Sequence, residues 1–150
     1  MKERPDNVLE LRARALRLLA RREHTRQELE RKLSPHAGSS EDVKDLLAGL
    51  KQKNQLSEER YAEERARQLS RKYGAARIRQ DLKSKGVSEE LISRFSSSEN
   101  EMQRAKEILQ RKYRTPAATR EEKAKRMRFL QSRGFASEII FRLLSTRGDG

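Results

Sequence analysis

Leu82-Lys83-Ser84-Lys85-Gly86-Val87-Ser88-Glu89-Glu90-Leu91-Ile92-Ser93-Arg94-Phe95 aligns without gaps on Leu130-Gln131-Ser132-Arg133-Gly134-Phe135-Ala136-Ser137-Glu138-Ile139-Ile140-Phe141-Arg142-Leu143, an offset of 48 residues. In both copies a Ser-basic-Gly-apolar corner follows an apolar-periodic stretch rich in Lys and Arg. That is how a helix ends on a left-handed glycine. Val87 and Phe135 each precede a helix start and stand five residues before Ile92 and Ile140, the spacing of a hydrophobic staple. The chain therefore repeats a tight helix–turn–helix corner.

The first third fits the same frame with one extra residue. Ser40-Glu41-Asp42-Val43 matches Ser88-Glu89-Glu90-Leu91 at offset 48, whereas Leu33 matches Leu82 at 49, the insertion falling in Ser34-Pro35-His36-Ala37-Gly38. Between these corners apolar residues recur at helical spacing, as in Leu11, Ala15, Leu18; Leu46, Leu47, Leu50; and Ala105, Ile108, Leu109. Thr25-Arg26-Gln27-Glu28, Ser98-Glu99-Asn100-Glu101 and Thr119-Arg120-Glu121-Glu122 have the form of capping boxes. The pattern predicts nine helices, near 7–22, 25–33, 40–53, 57–72, 74–85, 88–96, 99–113, 119–133 and 136–144. It groups them as three tandem three-helix repeats, 1–56, 57–98 and 99–150. Units this small lean on their neighbours, so the expected molecule is all-α and elongated.

Composition agrees. Of 150 residues, 33% are hydrophobic and 39% charged, with seven Gly, three Pro and no Cys, which favours helices and leaves little for a thick core. No apolar run approaches a membrane span, and Met1 to Asp6 leads into a charged helical pattern with no secretory signal. The expected location is the cytoplasm, with no membrane association.

Chemistry finds little to work with. His24 and His36 share no metal spacing with other ligand types, and without cysteine there is no thiolate site. Phosphate-binding Gly-rich loops, G-x-S-x-G and H-E-x-x-H are missing. Glu58-Glu59, Glu63-Glu64 and Glu89-Glu90 read as carboxylates near helix starts, favoured there by the macrodipole, and not as nuclease ligands. The terminal Arg147-Gly148-Asp149 string reads as chance. The expectation is a protein that is not an enzyme and has no cofactor, metal or catalytic residue.

What remains is positive charge. The net +13 is spread over the chain, with 13 basic and 9 acidic residues before position 57, 10 and 7 over 57–98, and 13 and 7 from 99 onward. Basic residues gather around the middle helix of each repeat: Arg21, Arg22, Arg26, Arg31 and Lys32; Lys72, Arg77, Arg79, Lys83 and Lys85; Arg120, Lys123, Lys125, Arg126, Arg128 and Arg133. Such crowding costs stability unless an anion or acidic surface relieves it. Groove readers mix Asn, Gln and Ser with Arg, so these mostly charged helices point to backbone or protein contact instead of base readout. The few aromatics read as core, which argues against a stacking platform for single strands.

Four strings resemble the RecX regulators of the bacterial recombinase RecA. They are Ala15-Leu16-Arg17-Leu18-Leu19-Ala20-Arg21-Arg22-Glu23-His24-Thr25-Arg26-Gln27-Glu28-Leu29, Leu56-Ser57-Glu58-Glu59-Arg60-Tyr61-Ala62-Glu63, Tyr73-Gly74-Ala75-Ala76-Arg77-Ile78-Arg79-Gln80-Asp81-Leu82-Lys83-Ser84-Lys85-Gly86-Val87, and Arg128-Phe129-Leu130-Gln131-Ser132-Arg133-Gly134-Phe135. The resemblance covers about residues 9–145. It implies an elongated, curved, three-repeat helical protein that lies in the groove of the RecA filament on single-stranded DNA; the expected state is a monomer. Such a regulator inhibits ATP hydrolysis, strand exchange and filament extension, and so modulates DNA repair, recombination and the SOS response. Double-stranded DNA is a second candidate partner. Charge and repeat position nominate Arg77, Arg79, Lys83, Lys85, Arg126, Arg128 and Arg133 as contacts. A different class of function, sequence-nonspecific coating of DNA or RNA by the tandem corners, would fit the same charge.

Overall fold

The computed structural model describes residues 4–145, side chains from residue 7, and the Arg147-Gly148-Asp149 string lies outside them. Among the described residues there are nine α-helices, one short 3-10 turn and no strand. The first repeat holds α1 (Arg4–Arg21), α2 (Arg26–Leu33) and α3 (Ser40–Gln52). The second holds α4 (Glu58–Leu69), α5 (Ala75–Ser84) and α6 (Glu89–Phe95), and the third α7 (Glu101–Lys112), α8 (Arg120–Ser132) and α9 (Ser137–Ser145). The inserted residue of the first repeat is absorbed by a 3-10 turn, Ser34–His36, with Pro35 in its first turn.

Packing divides the chain into two compact units whose edges are not the repeat edges. One runs from α1 to Glu64 and includes Lys85–Val87; the other comprises Arg65–Ser84 and the chain from Ser88 through α9. Within the first, the stripes of α1, α2 and α3 meet in a core of Leu11, Ala15, Leu29, Leu33, Leu47 and Leu50. Within the second, Ala105, Ile108, Leu130, Phe135 and Ile140 form the third repeat's core, so the Phe135–Ile140 staple lies inside it. Ile78, Leu82 and Ile92 are buried residues of α5 and α6.

Both corner glycines take the left-handed conformation, φ +83° at Gly86 and +87° at Gly134. At Gly134 the helix closes with a Phe135 N–H donating to the Leu130 carbonyl, the long bond of a Schellman cap.

Each corner also sits on the start of a middle helix one repeat earlier. A Cβ on Gly86 would lie 2.6 Å from Gln27 Oε1, and one on Gly134 would lie 2.5 Å from Arg77 Cβ. Gln27 is the second residue of α2 and Arg77 the third of α5. That seating is why Lys85–Val87 groups with the first unit.

Helix starts follow the caps in part. Thr119 and Glu122 form the full reciprocal box at α8. Thr25 caps α2 through Glu28 N–H, but the Glu28 carboxylate goes to Arg22 and Lys32. The box expected at Ser98 does not form. Asn100 precedes α7 in the left-handed conformation with no side-chain cap, and the Glu101 carboxylate reaches across to α5.

Candidate functional site

The start of α5 is where the second repeat meets the third. The first amides of a helix have no partner within it, and here the third repeat supplies them. Gly74 N–H donates to the Arg133 carbonyl at 2.8 Å and Ala76 N–H to the Gly134 carbonyl at 3.3 Å. Ala75 N–H donates to Glu101 Oε2 at 3.1 Å, and Glu101 is only 2% exposed. Close approach requires Gly74, whose Cβ would stand 2.5 Å from the Gly134 carbonyl oxygen.

Two of the nominated arginines belong to this joint. The Arg77 guanidinium lies 4.4 Å over the Tyr73 ring and donates to the Ser132 carbonyl at 3.0 Å. Arg133 is half-buried, 5.5 Å from the Tyr73 ring and 4.8 Å from Phe129, with Nη1 3.4 Å from the Lys72 carbonyl. Tyr73 therefore carries both cations, a use of aromatic rings that differs from the core role expected for it. Arg65 adds a two-pronged pair to Asp81, at 3.0 and 2.9 Å, between α4 and α5.

The other nominees divide. Arg126 is buried, 8% exposed, with its guanidinium 4.4 Å over the Tyr113 ring. Arg79, Lys83 and Arg128 are exposed, and Lys85 is half-buried. Arg79 and Lys83 are four residues apart on α5 and so share one face. The structure thus places an exposed Arg77 and a half-buried Arg133 together at Tyr73 and Arg126 under the surface, and leaves Arg79, Lys83 and Arg128 facing solvent.

In the first repeat much of the basic cluster is neutralised. Arg22 reaches Glu28 with Nη1 at 3.2 Å, and Lys32 lies 3.7 Å from the same carboxylate. Partial burial pushes the Glu28 pKa upward, but the Arg22 hydrogen bonds and the nearby His24 and Lys32 outweigh it and hold the carboxyl at about 2. His24 is fully buried with Nδ1 3.0 Å from the Arg22 carbonyl and Nε2 3.2 Å from Lys32 Nζ. Burial lowers its pKa below 6.5, and the geometry requires Nδ1–H to donate and Nε2 to accept from the ammonium. Arg60 to Glu23, at 2.9 Å, is another pair in this unit. His36 is exposed in the 3-10 turn.

Glu101 and Tyr73 were not legible as joint residues, because their partners lie 26 and 60 positions away in sequence. A single buried acid in a helix's first turn leaves no periodic signal. Among the described residues no three His, Cys, Asp or Glu side chains gather as a metal site would need, and no helix is long and apolar enough to cross a membrane.

Three family models match in series: the first three-helix domain of RecX over residues 12–37, the second over 57–94 and the third over 99–144. The regulatory protein RecX of Ralstonia nicotianae is 39% identical over 142 residues, covering 93% of this chain and 89% of that one. Its counterpart from Herbaspirillum seropedicae is 41% identical over 138 residues, 91% and 90% of the two chains. The crystal structure of RecX from Lactobacillus salivarius superposes with a TM-score of 0.77 at 20% identity, covering 93% of this chain and 96% of that one, a likeness of fold.

Proposed function

The chain belongs to the RecX family of regulatory proteins, and from that premise we propose that it regulates RecA by lying in the groove of the RecA filament on single-stranded DNA. In this reading it inhibits ATP hydrolysis, strand exchange and filament extension by binding, with no chemistry of its own. It works as a monomer in the cytoplasm, and its setting is DNA repair, recombination and the SOS response. The observation that carries the reading is the match through all three three-helix domains to proteins named as regulators. A chain of small repeats, each with modest contacts, gains affinity by engaging several filament surfaces at once.

Of the seven nominated contacts, Arg77, Arg79, Lys83 and Arg128 are exposed, and of these Arg79, Lys83 and Arg128 are not stacked on a ring. Lys85 flanks the Gly86 corner, while Arg77, Arg126 and Arg133 shape the surface through their rings and carbonyls. Direct, sequence-nonspecific coating of DNA or RNA is the second reading, favoured by the net +13.

The test titrates the protein into preformed RecA filaments on single-stranded DNA and follows ATP hydrolysis, with an equally basic unrelated protein as control. Inhibition below one protein per RecA, specific to this chain, is the expected result. Inhibition equal to the control's that disappears with excess DNA, or none at all, overturns filament regulation in favour of nucleic-acid coating.

A further inference from the structure

The third repeat contains a groove of about 570 Å³ bounded by α7, the connection from Tyr113 to Ala117, α8 and the end of α9. That volume lies within the range of small-ligand sites. Four cations converge on it, Lys106 from α7, Arg114 from the connection, and Lys123 and Arg126 from α8, and among the described residues no carboxylate lines it. Arg126 is nine-tenths buried, and its Nε has no hydrogen-bond partner among the described residues. A buried donor without an acceptor is uncommon and costly. Glu122, one turn earlier on α8, turns its carboxylate to the Ala118 and Thr119 amides.

The rest of the wall is apolar, with Leu109, Leu144, Pro116 and the Tyr113 ring. Inorganic phosphate would satisfy the cations and leave these groups wet. A carboxylate or two from an acidic peptide would balance fewer of the four positive charges. A ligand that joins a multiply charged anion to a flat apolar body matches both walls.

We propose that this groove binds a nucleoside phosphate, the phosphate among Lys106, Arg114, Lys123 and Arg126 and the base against the Leu109–Tyr113 side. The inference rests on the nucleic-acid part of the reading above and adds a discrete site to it. The nucleotide comes either from a DNA strand or from the free pool, since both present the same chemistry.

The experiment uses the full chain, with NMR of labelled protein titrated separately with a deoxynucleoside triphosphate, a short oligodeoxythymidylate, inorganic phosphate and polyglutamate. Saturable shifts at Lys106, Tyr113 and Lys123 with the triphosphate or the oligonucleotide are expected, each Lys106→Glu or Lys123→Glu variant weakening them about tenfold. Lys44→Glu, at an exposed lysine of α3 outside the groove, leaves triphosphate binding unchanged. Response to the triphosphate identifies the free pool as a source, and response to the oligonucleotide alone identifies the strand; both support the site. Both lysines are exposed, and circular dichroism verifies that the variants fold, with Lys106→Gln and Lys123→Gln as milder replacements. Phosphate or polyglutamate binding as tightly as the nucleotide, or unchanged affinity in the charge-reversed variants, overturns the proposal. A chain that binds nucleotide here yet leaves RecA filaments unaffected refutes filament regulation alone. One that inhibits filaments with no nucleotide in the groove refutes this site alone.

Discussion

Glu28 and Glu101 are each a glutamate in the first turn of a helix, and they are put to different uses. Glu28 pairs locally, with Arg22 six residues back and Lys32 one turn on. Its carboxyl is held at about 2 against an ordinary 4.5, so its contribution is fully present above pH 4.5 and is lost as pH falls toward 2. Glu28→Gln should lower unfolding free energy by about 1 kcal/mol at pH 7, discounted for the exposure of Arg22. Urea titrations at falling pH should show the gap between variant and parent closing. Glu101 instead reaches a buried amide in another repeat. Glu101→Ala orphans the Ala75 N–H and should cost about 2 kcal/mol, whereas Glu101→Gln keeps an acceptor and should cost well under half of that. Equal losses in the two variants would mean that the hydrogen bond is not what Glu101 contributes. Spacing could show that both residues sit at helix starts. It could not show which one faces a neighbour, because that depends on how separate helices pack.

At the scale of the element, helix existence and corner chemistry were legible because both are local. Apolar spacing placed all nine helices, and the Gly86 and Gly134 corners took the positive φ that their sequence implied. The Thr119 box formed, while the Ser98 one lost its glutamate to the Ala75 amide of α5. Glycines separate the local from the tertiary demand. Gly49 lies inside α3 with nothing within 4 Å of the place an added methyl would occupy; Gly49→Ala should therefore raise stability by about 0.5–1 kcal/mol. Gly134→Ala meets both a left-handed backbone and Arg77 Cβ at 2.5 Å, and should cost about 2 kcal/mol or more. Thermal melts of the two variants should move in opposite directions.

For the molecule as a whole, sequence counted the positive charge correctly but could not say where each cation would go. Arg77, Arg126 and Arg133 carry the same formal charge as Arg79 and Arg128, yet three of these five are held against aromatic rings. Arg77 on Tyr73 and Arg133 on Phe129 are four residues apart, but Arg126 on Tyr113 and Arg133 on Tyr73 join residues 13 and 60 positions apart, a spacing with no periodic signature. Arg79→Glu with Lys83→Glu should weaken filament binding by about tenfold or more with helicity intact, while adding Arg77→Glu should also loosen the joint at Tyr73 and lower the melting temperature. Salt separates the two readings of function. Phosphate coating should lose affinity along a steep straight line in log K against log salt, and filament binding should persist where that line has fallen away.

The joints also differ in what they leave open. The amides at the start of α5 are met by a corner and a glutamate from the following repeat, but at the start of α8 it is the helix's own Thr119 and Glu122 that take the amides of Glu122, Ala118 and Thr119. In the language of polymer growth, α5 is a coupled end and α8 a capped one: a further Gly corner would have to compete with the box that already takes the Ala118, Thr119 and Glu122 amides before duplication of the repeat could lengthen the series by the same bonds. Reopening that end would take loss of the Thr119–Glu122 box before gain of any new partner.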